Sequence, residues 1–109
     1  MLIAVKHHDL VVPMFSSSNI AVGAIFFIGD LPAVTLEPVK ANVVTGVAVG
    51  AVIEGPRETG AVWGQGTVVY WDTANQRFTT TATGNKRVGV VIGGDVPSGA
   101  TRALVLMDR

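Results

Sequence analysis

Three residues near the start of the chain, His7, His8 and Asp9, form its only group that combines catalytic or metal-binding side-chain types. Consecutive residues of a strand point to opposite faces, so the two histidines cannot bind one ion without a turn, although His7 and Asp9 can share a face. A zinc site needs more ligands, and the chain has no third histidine and no cysteine. We interpret the group as a polar turn, and a small hydrolase using His7 or His8 is a rival hypothesis.

The other candidates for chemistry have simpler explanations. The serines at 16–18 precede Asn19 and are typical of a loop, and the threonines at 79–81 are typical of a strand. Neither run lies at the strand–turn–helix elbow that presents a nucleophile. The glycines of 89–99 lead to a proline and another strand rather than to a helix, which a phosphate site requires. The sequence therefore predicts no catalytic residues, no metal and no cofactor.

The composition predicts a protein partner. Hydrophobic residues make up 49% of the 109 residues and charged residues only 15%, with eight basic and eight acidic side chains. An average soluble domain has about 25% charged residues, so part of the apolar surface is expected to be buried against another chain. The balanced charge, with an isoelectric point near 6.7, argues against nucleic acid or anionic lipid as a partner.

Apolar segments of the chain are too short for a membrane. The two most apolar stretches, 20–29 and 43–53, are each about half of the ~20 residues that a spanning helix needs. The N-terminus lacks the features of a secretory signal. We expect no membrane contact.

The elements that must position any site are strands. Nineteen valines and ten threonines, punctuated by thirteen glycines and five prolines, are typical of β structure, and no helical periodicity occurs. We predict an all-β, single-domain β-barrel or β-sandwich at 10–109, preceded by an extended N-terminal arm at 1–9. The predicted strands are 2–6, 10–14, 24–28, 33–36, 47–53, 67–72, 77–81, 87–92 and 101–107.

A hairpin in the middle of the chain is the clearest element. The strand GTVVYWD enters the turn TANQ and returns as RFTTTATG, and the side chains of Asp72 and Asn75 are expected to bond the turn backbone. Tyr70 and Trp71 must face opposite sides of this strand. If Trp63 or Trp71 is exposed, it could stack on a sugar ring, so a soluble carbohydrate-binding β module is the alternative function. We assign structural roles in the hairpin to Gln65, Gly66, Tyr70, Trp71, Asp72, Gly84 and Asn85.

Two predicted strands are apolar on both faces. The strand 101–107 carries Ala103 and Val105 on one face and Leu104 and Leu106 on the other, and the strand 47–53 is similar. A strand with one face in water does not show this pattern. Either these strands are central in a two-layer structure, or one face contacts another subunit.

The hairpin region resembles a known family. Residues 63–91, WGQGTVVYWDTANQRFTTTATGNKRVGVV, resemble the signature of small tailed-phage capsid cement or decoration proteins. That signature has Gln-Gly, a strand ending in Val-Tyr-Trp-Asp, a turn, a Thr-rich return ending in Thr-Gly-Asn, and an Ile-Gly-Val strand. Gln65-Gly66, 69–72, 79–83, Gly84-Asn85 and 88–90 fill it here.

The resemblance implies a structural virion protein rather than an enzyme. Such a protein binds the outer surface of a phage head, contacts the major capsid protein and stabilises the expanded shell, after assembly in the host cytoplasm. The resemblance also implies a small oligomer, and we expect a homotrimer rather than a dimer. From the apolar N-terminus, the central hairpin and the last strand, the predicted capsid or oligomer contacts are Met1, Leu2, Ile3, Val5, Trp71, Arg102, Leu104 and Leu106.

Overall fold

The computed structural model of the chain describes residues 2–108, and the regular elements in this range are all strands. No helix long and apolar enough to cross a membrane occurs in this range. The strands are β1 (Ala4–His7), β2 (Val11–Met14), β3 (Ile25–Ile28), β4 (Leu31–Thr35), β5 (Thr45–Ala48), β6 (Val52–Pro56), β7 (Val68–Asp72), β8 (Arg77–Thr79), β9 (Lys86–Val91) and β10 (Arg102–Met107).

The strands form two antiparallel sheets. The six-stranded sheet has the order β1-β6-β10-β9-β7-β8, and the four-stranded sheet has the order β2-β5-β4-β3. The larger sheet curls until Arg57 and Phe78 meet in an isolated bridge, where the amide of Glu58 donates to the Phe78 carbonyl at 2.8 Å. The predicted all-β class is confirmed, and the architecture is a sandwich rather than a closed barrel.

The main core lies against the inner face of the six-stranded sheet. Phe78, Ile53 and Val105 are fully buried there, and the rings of Trp71 and Phe78 meet edge-on at 5.2 Å. Val34 and Ala48 of the four-stranded sheet belong to the same cluster. Burial of these side chains from both sheets joins the two layers. A second, smaller cluster packs on the four-stranded sheet and consists of Met14, Ala33, Val39, Val47 and Val49.

The predicted single strand at 47–53 is wrong. The four-stranded sheet contains Val47 in β5, and the six-stranded sheet contains Ile53 in β6. Between them the backbone of Gly50 has φ +61°, a conformation that glycine adopts without the steric cost of a side chain. The segment is apolar throughout because some of its side chains are buried in the smaller cluster and the others are buried in the main core.

The predicted extended N-terminal arm is not confirmed. Strand β1 pairs with β6 in an antiparallel ladder, with Ala4 opposite Glu54. Ile3 is fully buried, and the absence of a side chain at Gly55 makes room for it, since a Cβ there would lie 2.5 Å from Ile3 Cδ1. An apolar N-terminal segment thus lies within the chain's own sheet. Met1 lies outside the described residues.

Candidate contact surface

The six-stranded sheet has an apolar outer face, turned away from the main core. Along β10, Ala103, Val105 and Met107 are buried in the core, so the alternate residues point outward. The strand register places Leu106 opposite both Val52 and Val90. The result is an apolar stripe across four strands. The stripe consists of Val52, Val68, Val90, Leu104 and Leu106.

Two ion pairs frame the stripe. At one end Arg102 donates from Nε to Glu54 Oε1 at 3.0 Å and from Nη2 to the Leu2 carbonyl at 3.2 Å. At the other end Arg87 donates from Nε to Asp108 Oδ2 at 2.6 Å, and this bond raises the pKa of the guanidinium. All four charged side chains are about one third to one half exposed. Exposed pairs of this kind contribute about 0–1 kcal/mol to folding, so their main effect is to fix the positions of charges around the stripe.

The structure separates the predicted contact residues into two groups. Arg102, Leu104 and Leu106 lie together on the outer face, and Leu2 adjoins them through the bond from Arg102. Ile3, Val5 and Trp71 lie against the main core, and the first and last are at most 2% exposed. Because a buried side chain cannot meet a partner, we keep the first group as proposed contacts and no longer propose Ile3 and Trp71. Val5 is half-buried on the core side.

The predicted central hairpin is confirmed as the pair β7 and β8. Trp71 lies opposite Phe78, and Tyr70 is half-buried on the outer side of the strand. Asp72 closes the turn by accepting bonds from the backbone and side-chain amides of Asn75 at 3.1 and 2.7 Å. These bonds lower the pKa of Asp72 from its ordinary value of 3.8. Its contribution to the hairpin is therefore present above that value and is lost as the pH falls through the lowered pKa.

The remaining predicted hairpin residues lie in the connections. The backbone amide of Gln65 donates to Asp95 Oδ1 at 2.9 Å, and Asn85 Nδ2 donates to the Thr81 carbonyl at 3.0 Å. Gly66 and Gly84 have φ values of +90° and +78°. A left-handed backbone favours glycine at both positions.

Arg57 is a structurally important residue that the sequence did not reveal. It is 3% exposed, and its guanidinium donates to three backbone carbonyls, those of Glu58, Ala61 and Pro97, at 2.5–3.0 Å. It also lies 4.1 Å from the centre of the Trp63 ring. Burial lowers the pKa of this group. Its neighbours Gly55, Pro56 and Gly60 are typical of an exposed loop, so nothing local indicated burial.

The residues proposed for the rival functions are placed differently. Trp63 and Trp71 are 4% and 2% exposed, so neither indole presents the open ring that stacking on a sugar requires. His7 and His8 are exposed at the end of β1. Within residues 2–108 there is no group of three or more acidic, histidine or cysteine side chains that could hold a metal ion.

A second exposed apolar region lies at the end of the β2–β5 pair, and we call it the β2 rim. Met14 pairs with Thr45, so the next residues, Phe15 and Val44, are neighbours. They are 61% and 63% exposed. Single exposed apolar residues are normal, but a group of them indicates a contact surface. The β2 rim consists of Phe15, Val43 and Val44.

Comparison with known proteins gives one match. A family model described as phage cement protein matches residues 4–107, which is nearly the whole chain. No curated protein and no solved structure matches it.

Proposed function

This chain belongs to the phage cement protein family, and from that membership we propose that it binds the outer surface of a phage head and stabilises the expanded shell. The partner is the major capsid protein, and the contacts are non-covalent. The protein acts by binding alone and catalyses no reaction. It is assembled in the host cytoplasm and becomes part of the virion.

The observation that carries this proposal is the exposed apolar β2 rim. Phe15 and Val44 are 61% and 63% exposed there, although the chain has few charged residues to cover its surface. Apolar side chains on a hydrogen-bonded sheet lose little conformational freedom on binding, so more of the contact energy is retained as affinity. The apolar outer face offers a second apolar region, on the six-stranded sheet. Two surfaces on one small module suit a protein that bridges neighbours.

Repetition over a shell multiplies weak contacts. One small interface gives modest affinity, but an oligomer that engages several capsid subunits at once gains avidity from the high effective concentration of its second site. The sequence led us to expect a homotrimer as that oligomer. A two-fold pair is the alternative arrangement.

The test uses expanded heads that lack this protein. Purified full-length chain is added to them, and bound protein is measured by sedimentation and by imaging of the particles. We expect saturable binding to expanded heads and an increase in the temperature at which the heads release their DNA. Unexpanded heads serve as the control for recognition of the mature lattice.

A surface variant tests where the heads are bound. Replacing Phe15 and Val44 by serine removes the exposed apolar groups of the β2 rim while leaving the buried clusters intact. We expect lower occupancy from this variant. Correctly folded wild-type protein that fails to bind any expanded head contradicts the proposed function.

A further inference from the structure

We propose that the outer face of the six-stranded sheet is a self-association surface, on which a second copy of this chain packs about a two-fold axis. The two β10 strands cross face to face and run in opposite directions. This goes beyond the proposed function, because the pair forms in solution whether or not the protein binds a head.

The first argument is the order of charges along β10. The outward side chains are Arg102, Leu104, Leu106 and then Asp108, whose amide continues the ladder by donating to Val88 O at 2.8 Å. This order is positive, apolar, apolar, negative. When the β10 strand of a second copy runs in the opposite direction, Arg102 faces the aspartate of that copy and Leu104 faces its Leu106. The pattern is therefore complementary to itself. A two-fold contact requires this self-complementarity.

The second argument is distance. Six residues separate Arg102 from Asp108, which corresponds to about 20 Å of strand, and packed sheets lie about 10 Å apart. Facing sheets cross at about 30°. The ends of the two β10 strands lie about 10 Å from the crossing point, so this angle moves them about 5 Å sideways relative to each other. An arginine side chain opposite an aspartate spans such a gap. The ion pairs can therefore form at both ends while the leucines pack between them.

The third argument is that the charges keep bonding capacity. The bonds of Arg102 within residues 2–108 use Nε and Nη2, which leaves Nη1 to donate outward. The Asp108 carboxylate accepts two bonds from Arg87 and can accept more. A contact across the two-fold axis thus adds to the ion pairs within each chain and does not need to break them. Only the apolar stripe is desolvated fully.

The charge pattern also separates this occupant from others. The frame of the outer face contains Arg87, Arg102, Glu54 and Asp108, so its formal charge is zero. A partner with a net charge is not attracted to a face whose own charges cancel. An inverted second copy instead places an opposite charge against each end of the stripe. A three-fold ring places two different surfaces in contact and does not use self-complementarity. The pair is therefore proposed in place of the homotrimer expected from the sequence.

The test is a mass measurement with charge exchange. Light scattering and sedimentation equilibrium on the full-length chain are expected to give twice the 11.3 kDa of one chain. Arg102→Glu and Asp108→Arg each place like charges across the axis, and each is expected to raise the dissociation constant about tenfold. The double variant restores opposite charges across the axis and is expected to recover association, although both ion pairs within the chain stay broken.

Matched controls separate this role from a structural one. Leu106→Glu is expected to give a monomer, whereas Val44→Glu on the β2 rim, a residue that is even more exposed, is expected to leave the pair intact. Arg77→Glu breaks the ion pair with Glu58 at the β8 edge of the sheet, which β9 and β7 separate from β10, and is expected to have no effect on mass. Circular dichroism confirms that each variant is folded.

Several results overturn the proposal. They are a wild-type monomer at all concentrations, a trimer, single variants with unchanged dissociation constants, or a double variant that associates no better than the single ones. Whether the protein binds heads is tested separately, by the sedimentation assay with expanded heads.

Discussion

The two sheets of this protein bury apolar side chains by different means. In the six-stranded sheet, β9 and β10 have six residues each, and large side chains such as Phe78 and Ile53 fill the inner face. In the four-stranded sheet the strands have four or five residues, and its second cluster is closed by a loop bridge between Ile20 and Val39. The larger sheet is held by packing over its whole inner face. The smaller sheet contributes to that core as well and depends in addition on individual loop contacts.

This difference indicates where each kind of substitution is most costly. A cavity in the main core removes contacts from both layers at once. Around the four-stranded sheet, single polar groups hold loops in place, as where Asn19 Oδ1 accepts the Ala41 amide at 2.8 Å. Loss of such a group leaves a backbone donor or acceptor unpaired. Four substitutions, at Phe78, Arg57, Thr35 and Lys86, test this contrast.

The largest effect is expected from Phe78→Ala. Phe78 is fully buried and packs edge-on against Trp71, so its removal leaves a cavity in the main core. We expect a loss of about 3–5 kcal/mol in the free energy of unfolding, measured by urea denaturation. Phe15→Ala on the β2 rim removes the same side chain from an exposed site and should change stability by less than about 0.5 kcal/mol. Equal losses from both variants would contradict the contrast between packed sheet and exposed rim.

A smaller loss is expected from Arg57→Met. This substitution keeps most of the side-chain volume but leaves the Glu58, Ala61 and Pro97 carbonyls without their donor. We expect a loss of about 2–3 kcal/mol in thermal or urea unfolding. Arg77→Met is the control, because its ion pair with Glu58 is half exposed and should contribute about 0–1 kcal/mol. If both arginine variants lose the same stability, burial of Arg57 does not have the effect we assign to it.

In the four-stranded sheet, Thr35→Val tests a single buried hydroxyl. Thr35 Oγ1 accepts the Ala24 amide at 2.9 Å and donates to the Ala21 carbonyl at 2.7 Å. Valine has nearly the same shape but makes neither bond, so we expect a loss of about 1–2 kcal/mol. Thr45→Val removes only a 3.4 Å bond to Val43 O and should cost less. Hydrogen exchange at the Ala24 amide checks the local cause, and unchanged protection there would count against it.

The smallest effect is expected where the two sheets are tied together at the surface. Lys86 of β9 donates to the Gly29 carbonyl at 2.7 Å and lies 3.5 Å from Asp30, both in the turn between β3 and β4. Lys86→Met should lower stability by about 0.5–1 kcal/mol. It should speed hydrogen exchange in that turn more than in β10. Uniform acceleration over both sheets would mean that the contact stabilises the whole molecule and not this junction alone.

Local patterns predicted most elements correctly. The hairpin of β7 and β8 follows from alternation on both sides of a turn, and the Asp72 side chain bonds the turn backbone as predicted, whereas the Asn75 side chain bonds the Asp72 carboxylate instead. Prediction failed where long-range pairing decided the outcome. The segment 47–53 is apolar throughout, so its pattern could not show that Gly50 divides it between two sheets. The predicted arm is not confirmed because β6 supplies a pairing partner for β1 that lies about 50 residues away.

The candidate contact surface was predicted in part. The apolar pattern of the last strand indicated Leu104 and Leu106, which the structure places on the outer face. The same pattern could not exclude Trp71, because alternation shows that Tyr70 and Trp71 point to opposite sides but not which side is buried. Val52, Val68 and Val90 were missed as surface residues since their exposure depends on the order of strands in the sheet.

By itself the sequence determined the β class and the central hairpin, because alternation, turn residues and composition act over short distances or over the whole chain. Only the tertiary structure decided that Arg57 is buried, that one apolar segment serves two sheets, and that an apolar stripe lies between two ion pairs on the outer face. Those features arise from contacts between residues far apart in the chain, and no local pattern records which strands will become neighbours.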